Sequence, residues 1–515
     1  MAVVREDLVA AYDGAPLDAR YWISIALGIS TSVFDYFDYY VVGFLVAVLA
    51  PQWQLTFGQT SLILLSAGVG AILGSLAWGA LADRFGRKAL LVAGVTLCAL
   101  SAGSVSLIPD GAWITFATLR FFVGFGVGAA ASVAVPLIVE YTPTRYRTVI
   151  TSATVIPVSL GVLAASLSAA TLLHQIGWRG LAALGFAPLL PALLIALIMP
   201  ESVRWLVSRG RDADARRIVA RALRVAPDTL PQSPPVEALK PQSAGFAELL
   251  QEPRRVWLTV IVWFGASTAN YGVFLWGPTI VALLMGVSAV EVAHLFVFVS
   301  LTGMIGRAIF SVLPQRIGRR RCGEIMGYGI AASLGAAGLF FDRTLFGYPA
   351  FVVLLVPAAL FFDGGFSNIA PYSAEIFPVR LSARGVALAQ AANGIGKIAG
   401  PLCLALIAGT SNLITPKATI DAVTPAFLFL AACGLAIGLA FSWLGVETHG
   451  RPLALETPQP AENAGTVAVH LRREARALQR AQRRLRFCLS AVTTSKEAHH
   501  AGQRPDPNDF PCHSL

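Results

Sequence analysis

Twelve apolar runs decide what this chain can become. They lie near residues 22–48, 59–81, 88–108, 113–139, 147–172, 178–199, 255–283, 290–313, 322–341, 348–371, 384–410 and 423–446. A helix rises about 1.5 Å per residue, so about 20 residues cross the hydrocarbon core of a bilayer. Each run reaches that length, and in lipid a chain satisfies its backbone only as helices or a closed barrel. The expectation is an all-α membrane protein of twelve transmembrane helices. Composition agrees: 56% of the residues are hydrophobic and 13% are charged, too little charge to cover a soluble surface of this size.

The basic residues alternate between connections. Those at 49–58, 109–112 and 284–289 hold no Lys or Arg, and those at 342–347 and 411–422 hold only Arg343 and Lys417. The others hold Arg84, Arg87 and Lys88; Arg145 and Arg147; Arg316, Arg319, Arg320 and Arg321; and Arg380 and Arg384. Basic loops stay on the cytoplasmic side, so both termini are expected there. This asymmetry also accounts for the net charge of +10 without a nucleic-acid partner. The expected order is a cytoplasmic segment 1–20, a six-helix bundle 21–200, a cytoplasmic central loop 201–254, a second six-helix bundle 255–446 and a cytoplasmic tail 447–515. Residues 1–20 carry Arg5, Glu6, Asp7, Asp13, Asp18 and Arg20 and no apolar stretch, so the first helix is expected to be its own insertion signal. A multi-pass protein of a bacterial inner (plasma) membrane is expected, in contact with lipid and working as a monomer. In the central loop Asp212 to Leu223 reads as a surface helix, followed by a linker broken at Pro231, Pro234, Pro235 and Pro241. In the tail, leucines 471, 478 and 485 stand among arginines, a pattern open to a solvated tail or to a segment resting on anionic lipid. The cysteines show neither a disulfide framework nor zinc spacing.

Charges inside the runs are the candidate functional groups. Phe34-Asp35-Tyr36-Phe37-Asp38-Tyr39-Tyr40 puts two carboxylates near the middle of the first run. Three residues apart, they share one helix face. An ionised carboxylate in lipid costs several kcal/mol or more, so such groups face a bundle interior or a wet cavity. Two readings stand: a proton-coupling or substrate site, or an acid paired with a cation on a neighbouring helix. Arg120 lies inside the fourth run, Asp363 in the tenth and Lys397 near the middle of the eleventh. Lys397 either pairs with Asp363, the nearest acid in sequence, or joins Arg120 in holding a substrate carboxylate. Further polar candidates for substrate binding are Asn270, Tyr271, Trp276, Asn368, Tyr372 and Asn393.

The two halves repeat. Gly79-Ala-Leu-Ala-Asp83-Arg84-Phe-Gly86-Arg87-Lys88 follows the second run, and Gln315-Arg316-Ile-Gly318-Arg319-Arg320 follows the eighth. Glu140-Tyr-Thr-Pro143-Thr-Arg145-Tyr-Arg147 follows the fourth, and Glu375-Ile-Phe-Pro378-Val-Arg380, then Arg384, follows the tenth. Matched loops at matched positions mark an internal duplication. On these motifs, residues 20–456 resemble a major facilitator superfamily transporter. Pro200-Glu201-Ser202-Val203-Arg204-Trp205-Leu206 and Glu447-Thr-His-Gly450-Arg451-Pro452-Leu453 resemble the ends of each half in its sugar-porter and metabolite-symporter branches.

The resemblance implies two bundles of inverted repeats that rock around a central site. It implies that Asp83, Arg84, Arg87, Lys88, Glu140, Arg145 and Arg147, with Arg316, Arg319, Glu375, Arg380 and Arg384, form a cytoplasmic gate that latches the bundles in the outward-open state; the alternative is that these loops only hold the helix ends inside. It further implies that Asp35 or Asp38 gives up its proton as Arg120 draws close, with Asp38 the better match to the branch motifs. The first-helix run resembles those of carboxylate/proton symporters, with Tyr36 where the aromatic-acid branch has glycine. The fifth and seventh runs lack the glutamines that sugar porters share. The expected function is proton-coupled symport of a small organic anion, the proton being the only coupling ion and no cofactor being needed. A facilitator or exporter of sugars, neutral or cationic compounds, and a non-transporting sensor on the same fold, stand as alternatives. No nucleophile–base pair, metal cluster or phosphate loop points to an enzyme.

Overall fold

A computed structural model describes residues 8, 11–12, 18–143, 146, 156–230, 246–345 and 347–448. Arg145, Arg147, the proline-broken linker and the tail beyond residue 448 lie outside the described residues, as do the side chains of Asp83 and Arg380.

Span 1 (Ala19–Gln52) starts at Asp18, whose carboxylate accepts from the Tyr21 N–H at 2.9 Å. Span 2 (Phe57–Phe85) opens on a reciprocal cap between Thr56 and Gln59, which satisfies two of the amides a helix start leaves over. Span 3 is Arg87–Ser104, and span 4 starts at Trp113 and reaches Tyr141 through a π-helical turn at Ala130–Ala134. The next apolar stretch, Pro157–Ile198, has 42 residues, about 63 Å if straight and too long for one crossing. It breaks at Gly177, where φ is 66° and ψ −179°, into spans 5 and 6. The surface helix expected from Asp212 to Leu223 forms with those bounds. Spans 7 and 8 are Pro253–Met285 and Ala289–Val312, span 9 is Arg319–Leu339, and spans 11 and 12 are Val379–Ala408 and Pro416–Leu444. Span 10 is discontinuous, Ala350–Phe362 and then Phe366–Glu375, interrupted at Asp363-Gly364-Gly365.

Ten stretches of the described chain are long and apolar enough to cross a membrane. Dividing the 42-residue stretch makes eleven. Span 9, whose 21 residues begin with three arginines, makes twelve. Spans 1–6 and 7–12 form two bundles that meet along spans 1 and 7, 2 and 11, and 5 and 8.

Spans 8 and 10 approach closely because glycines stand at the crossing, Gly303 and Gly306 on span 8 and Gly364 on span 10. A Cβ on Gly303 would stand 2.7 Å from Asp363 Oδ2, and one on Gly364 2.6 Å from Gly306 Cα.

At the face opposite the basic loops the bundles are sewn together by backbone. The first N–H groups of a helix have no partner of their own. In span 2 those of Phe57 and Gly58 donate to Asn412 O (3.0 Å) and Thr410 O (2.9 Å), and the Ile414 N–H donates back to Leu55 O (3.1 Å). Beneath this seam Ser61 Oγ and Trp276 Nε1 both donate to Pro401 O, at 3.1 and 3.2 Å. A Cβ on Gly58 would meet Thr410 O at 2.8 Å. We therefore expect Gly58→Leu to pry the seam apart. In a background without the native cysteines, a cysteine at Ser61, now 2% exposed, would label several-fold faster with a membrane-impermeant thiol reagent. Labelling unchanged from the parent would show that the seam does not close this face.

Candidate functional site

Midway along span 1, Asp35, Asp38, Tyr39 and Tyr40 are buried. Arg120 of span 4, 2% exposed, donates from Nη1 to Asp38 Oδ2 at 2.5 Å. Its Nε and Nη2 are buried without a partner, and its guanidinium stands 6.0 Å from the Tyr39 ring centre.

A second buried ion pair sits in the other bundle. Arg307 of span 8 grips Asp363 with two bonds, Nε to Oδ2 at 3.0 Å and Nη2 to Oδ1 at 2.7 Å. The fork geometry suits a carboxylate and is stronger than one neutral hydrogen bond. Asn270 Nδ2 also donates to Asp363 Oδ1 at 3.2 Å, and Asn270 Oδ1 accepts from Tyr40 Oη at 2.6 Å. Arg307, Asp363, Asn270 and Tyr40 thus form one chain of bonds from the second bundle to the first.

Two charges remain outside these pairs. Asp35 makes no hydrogen bond or ion pair among the described residues; Asp38 on its own helix and Lys397 of span 11 are the charges that act on it. The Lys397 ammonium lies 5.0 Å from the ring centres of both Tyr39 and Tyr271, and has no acid partner among the described residues. A cation over an aromatic face gains about 0.5–2 kcal/mol. Tyr40 stacks parallel to Tyr271 at 5.7 Å and beside Tyr36 at 6.4 Å, and Tyr39 meets Tyr271 edge-on at 5.0 Å. The Tyr39 hydroxyl is buried with no partner. Among the described residues the bundle interface therefore carries an aromatic wall, a cation and an acid that no ion pair takes up, and unfilled donors.

On the basic face, two networks mirror each other. Gly86 (φ 100°) and Gly318 (φ 89°) turn the chain into spans 3 and 9, a left-handed region that favours glycine. Glu201 Oε1 accepts from the N–H groups of Arg87, Lys88 and Ser202 at 3.1, 3.0 and 2.9 Å. Glu447 accepts from those of Arg319 and Arg320 at 2.9 and 3.3 Å. Arg87 pairs with Glu140, and Arg319 holds Glu375 by two bonds of 2.9 and 2.7 Å. These pairs stay inside their own bundle. Arg84 and Arg316 are exposed.

The model of a family described as "Sugar (and other) transporter" matches residues 28–457. The chain belongs to this family of major facilitator transporters. Among its relatives, the niacin transporter NiaP of Acinetobacter baylyi is 27% identical over 459 residues, covering 87% of this chain and 99% of that protein. The 4-hydroxybenzoate transporter PcaK of the same organism is 28% identical over 423 residues, 79% of this chain and 89% of that one. The xylose transporter XylE of E. coli in an inward-open conformation shares the fold, with a TM-score of 0.63 at 20% identity over 84% of this chain and 98% of that one.

In this transporter the residues singled out from sequence divide. Asp35, Asp38, Arg120, Asn270, Tyr271, Asp363 and Lys397 gather at or beside the bundle interface. Asn393 is one turn from Lys397; it accepts from Ser267 at 2.7 Å and donates to Gln390 at 3.1 Å. Three candidates are engaged elsewhere. Trp276 stacks on Phe57 at 5.5 Å under the seam. Asn368 donates to Arg319 O at 3.1 Å, and the Tyr372 hydroxyl bonds Val446 at the basic face. Polar side chains on membrane helices serve packing as readily as ligands.

The Lys397–Asp363 pair is not the one formed: Arg307, which the sequence reading passed over, takes both Asp363 oxygens. An arginine inside the eighth run was its available signal. Removing one partner of a buried pair costs about 3–5 kcal/mol, because a bare charge remains. We expect Asp363→Leu to lower the melting temperature sharply in detergent and Arg307→Met with Asp363→Leu to restore most of the loss. Restoration by Lys397→Met instead would return Asp363 to Lys397.

Proposed function

We propose that this transporter carries a small aromatic carboxylate together with a proton, by alternating access, with its basic face cytoplasmic. The observation that carries the reading is Lys397: an ammonium at the bundle interface, between two tyrosine rings, with no acid partner among the described residues. A flat ring is recognised by offset or edge contact with Tyr36, Tyr39, Tyr40 and Tyr271, worth about 0.5–1.5 kcal/mol per pair beyond area. Its carboxylate would accept from Lys397 and from the free Tyr39 hydroxyl. The names of two relatives, a niacin and a 4-hydroxybenzoate transporter, point to cargo of the same chemistry. A sugar would need many paired donors and acceptors. Asn270 is already spent on Tyr40 and Asp363, which leaves few.

Proton coupling is assigned to the first-helix acids and Arg120. Arg120 holds Asp38, and rocking of one bundle against the other would open the remaining carboxylate, Asp35, first to one side and then to the other. The seam at residues 55–58 and 410–414 closes one face, as a carrier opening toward the other would require.

Uptake into proteoliposomes under an imposed pH gradient tests this. Nicotinate, 4-hydroxybenzoate and benzoate should accumulate, and xylose and tetraethylammonium should not. Accumulation of xylose alone, or of the cation alone, would overturn the carboxylate reading. A charge-assisted hydrogen bond is worth about 1.5–3 kcal/mol. Lys397→Gln should therefore weaken benzoate affinity about 10- to 150-fold with the melting temperature kept. Unchanged affinity would remove Lys397 from the site.

A further inference from the structure

We propose that each monocarboxylate crosses with one proton, carried on Asp35, because the substrate carboxylate and Asp35 compete for the Lys397 ammonium. The inference rests on the carboxylate reading above and specifies its stoichiometry and its proton site.

The charges midway along the spans, away from the helix ends, sum to zero. Among the described residues the buried ones are Asp35, Asp38, Arg120, Arg307 and Asp363, and Lys397 is half-buried. Asp38 closes on Arg120 and Asp363 on Arg307. What is left is one negative charge from the first bundle and one positive charge from the second, and in the empty site these offset each other. A monoanion that takes over Lys397 leaves Asp35 as an uncompensated charge in a low-dielectric interior. Asp35 then takes a proton from the water of the open side, onto a carboxylate oxygen. The loaded site holds neutral Asp35 and a Lys397–carboxylate pair. On the other side the substrate leaves, Asp35 returns its proton to water there, and its charge again offsets Lys397. Empty and loaded sites are both neutral, so neither crossing carries net charge.

The surroundings leave Asp35 as the exchanging group. Asp35 stands one turn before Tyr39 on span 1, and the Lys397 ammonium of span 11 lies 5.0 Å from the Tyr39 ring centre; Asp38 and Tyr36 on its own helix and Cys98 on span 3 are the other titratable groups around it. Span 4 offers Arg120, held by Asp38, span 7 offers Tyr271, and span 8 offers Arg307, held by Asp363. Residues 57–82, 157–172 and 180–199, in spans 2, 5 and 6, contain no ionisable side chain. Protonating Asp38 instead would remove the charge that answers a guanidinium with two buried nitrogens already without partners, leaving it the Asp38 carbonyl at 3.3 Å.

The test is the driving force for benzoate uptake in proteoliposomes. Wild type should accumulate benzoate with an inside-alkaline pH gradient at clamped zero potential. An inside-negative potential alone should neither drive nor retard it, and pyranine should report one proton per labelled benzoate. Asp35→Asn leaves the empty site at +1 and the loaded site neutral. It should lose pH-driven accumulation and become a carrier of anion charge, its equilibrium distribution shifting about tenfold for every ~59 mV. Wild-type uptake that follows the potential, or Asp35→Asn still concentrating benzoate on a pH gradient, overturns the inference while leaving the carboxylate reading intact. Failure of wild type to take up any of the three acids overturns both.

Discussion

A charge inside a bilayer must be answered, and the arrangement of this transporter follows from how its charges are answered. Asp38 has Arg120, and Asp363 has Arg307. Both pairs bind one helix to another within a bundle, so they fix the walls of the site without tying the bundles to each other. The contacts that do cross between bundles are lighter. Among the described residues they include the Tyr40–Asn270 bond, a Ser166–Ser300 hydroxyl contact of 2.9 Å, the Ser61–Pro401 bond, stacked tyrosines, and the backbone seam at one face. Such contacts can be exchanged in a transport cycle at less cost than a buried ion pair, whose rupture leaves two bare charges.

The basic face shows the same economy in duplicate. Glu201 and Glu447 cap the starts of spans 3 and 9 through backbone N–H groups, where a helix carries partial positive charge. Each leaves its neighbouring arginine free to hold Glu140 or Glu375. The matched loops seen in the sequence are thus the visible half of a three-part motif. The third part, the acid closing each half, stands far along the chain from the loop it caps.

The acids of span 1, Lys397 and the duplicated loops were legible because a charge or a repeated glycine–arginine turn stands out against an apolar run. Pairing was not legible. Which face of span 10 meets span 8 depends on the close crossing at Gly303, Gly306 and Gly364, and residue spacing along one helix says nothing of the rotation of its neighbour. Nearness in sequence favoured Lys397 for Asp363, whereas packing chose Arg307. For the same reason Trp276, Asn368 and Tyr372 looked like ligands: an intramembrane polar side chain must find a partner, and the sequence does not say whether that partner is cargo or backbone. The aromatic wall was written in Tyr36, Tyr39, Tyr40 and Tyr271, but only the meeting of spans 1 and 7 turns four tyrosines into one surface around a lysine.

The central claim is that an anion at Lys397 and a proton at Asp35 bind as a pair. It is tested most directly without a membrane, by calorimetric titration of the purified protein with benzoate near neutral pH in buffers of different ionisation enthalpy. The account predicts close to one proton taken up per benzoate bound in the wild type and none in Asp35→Asn. Benzoate binding with no proton uptake by the wild type, or with the same uptake by Asp35→Asn, would contradict it.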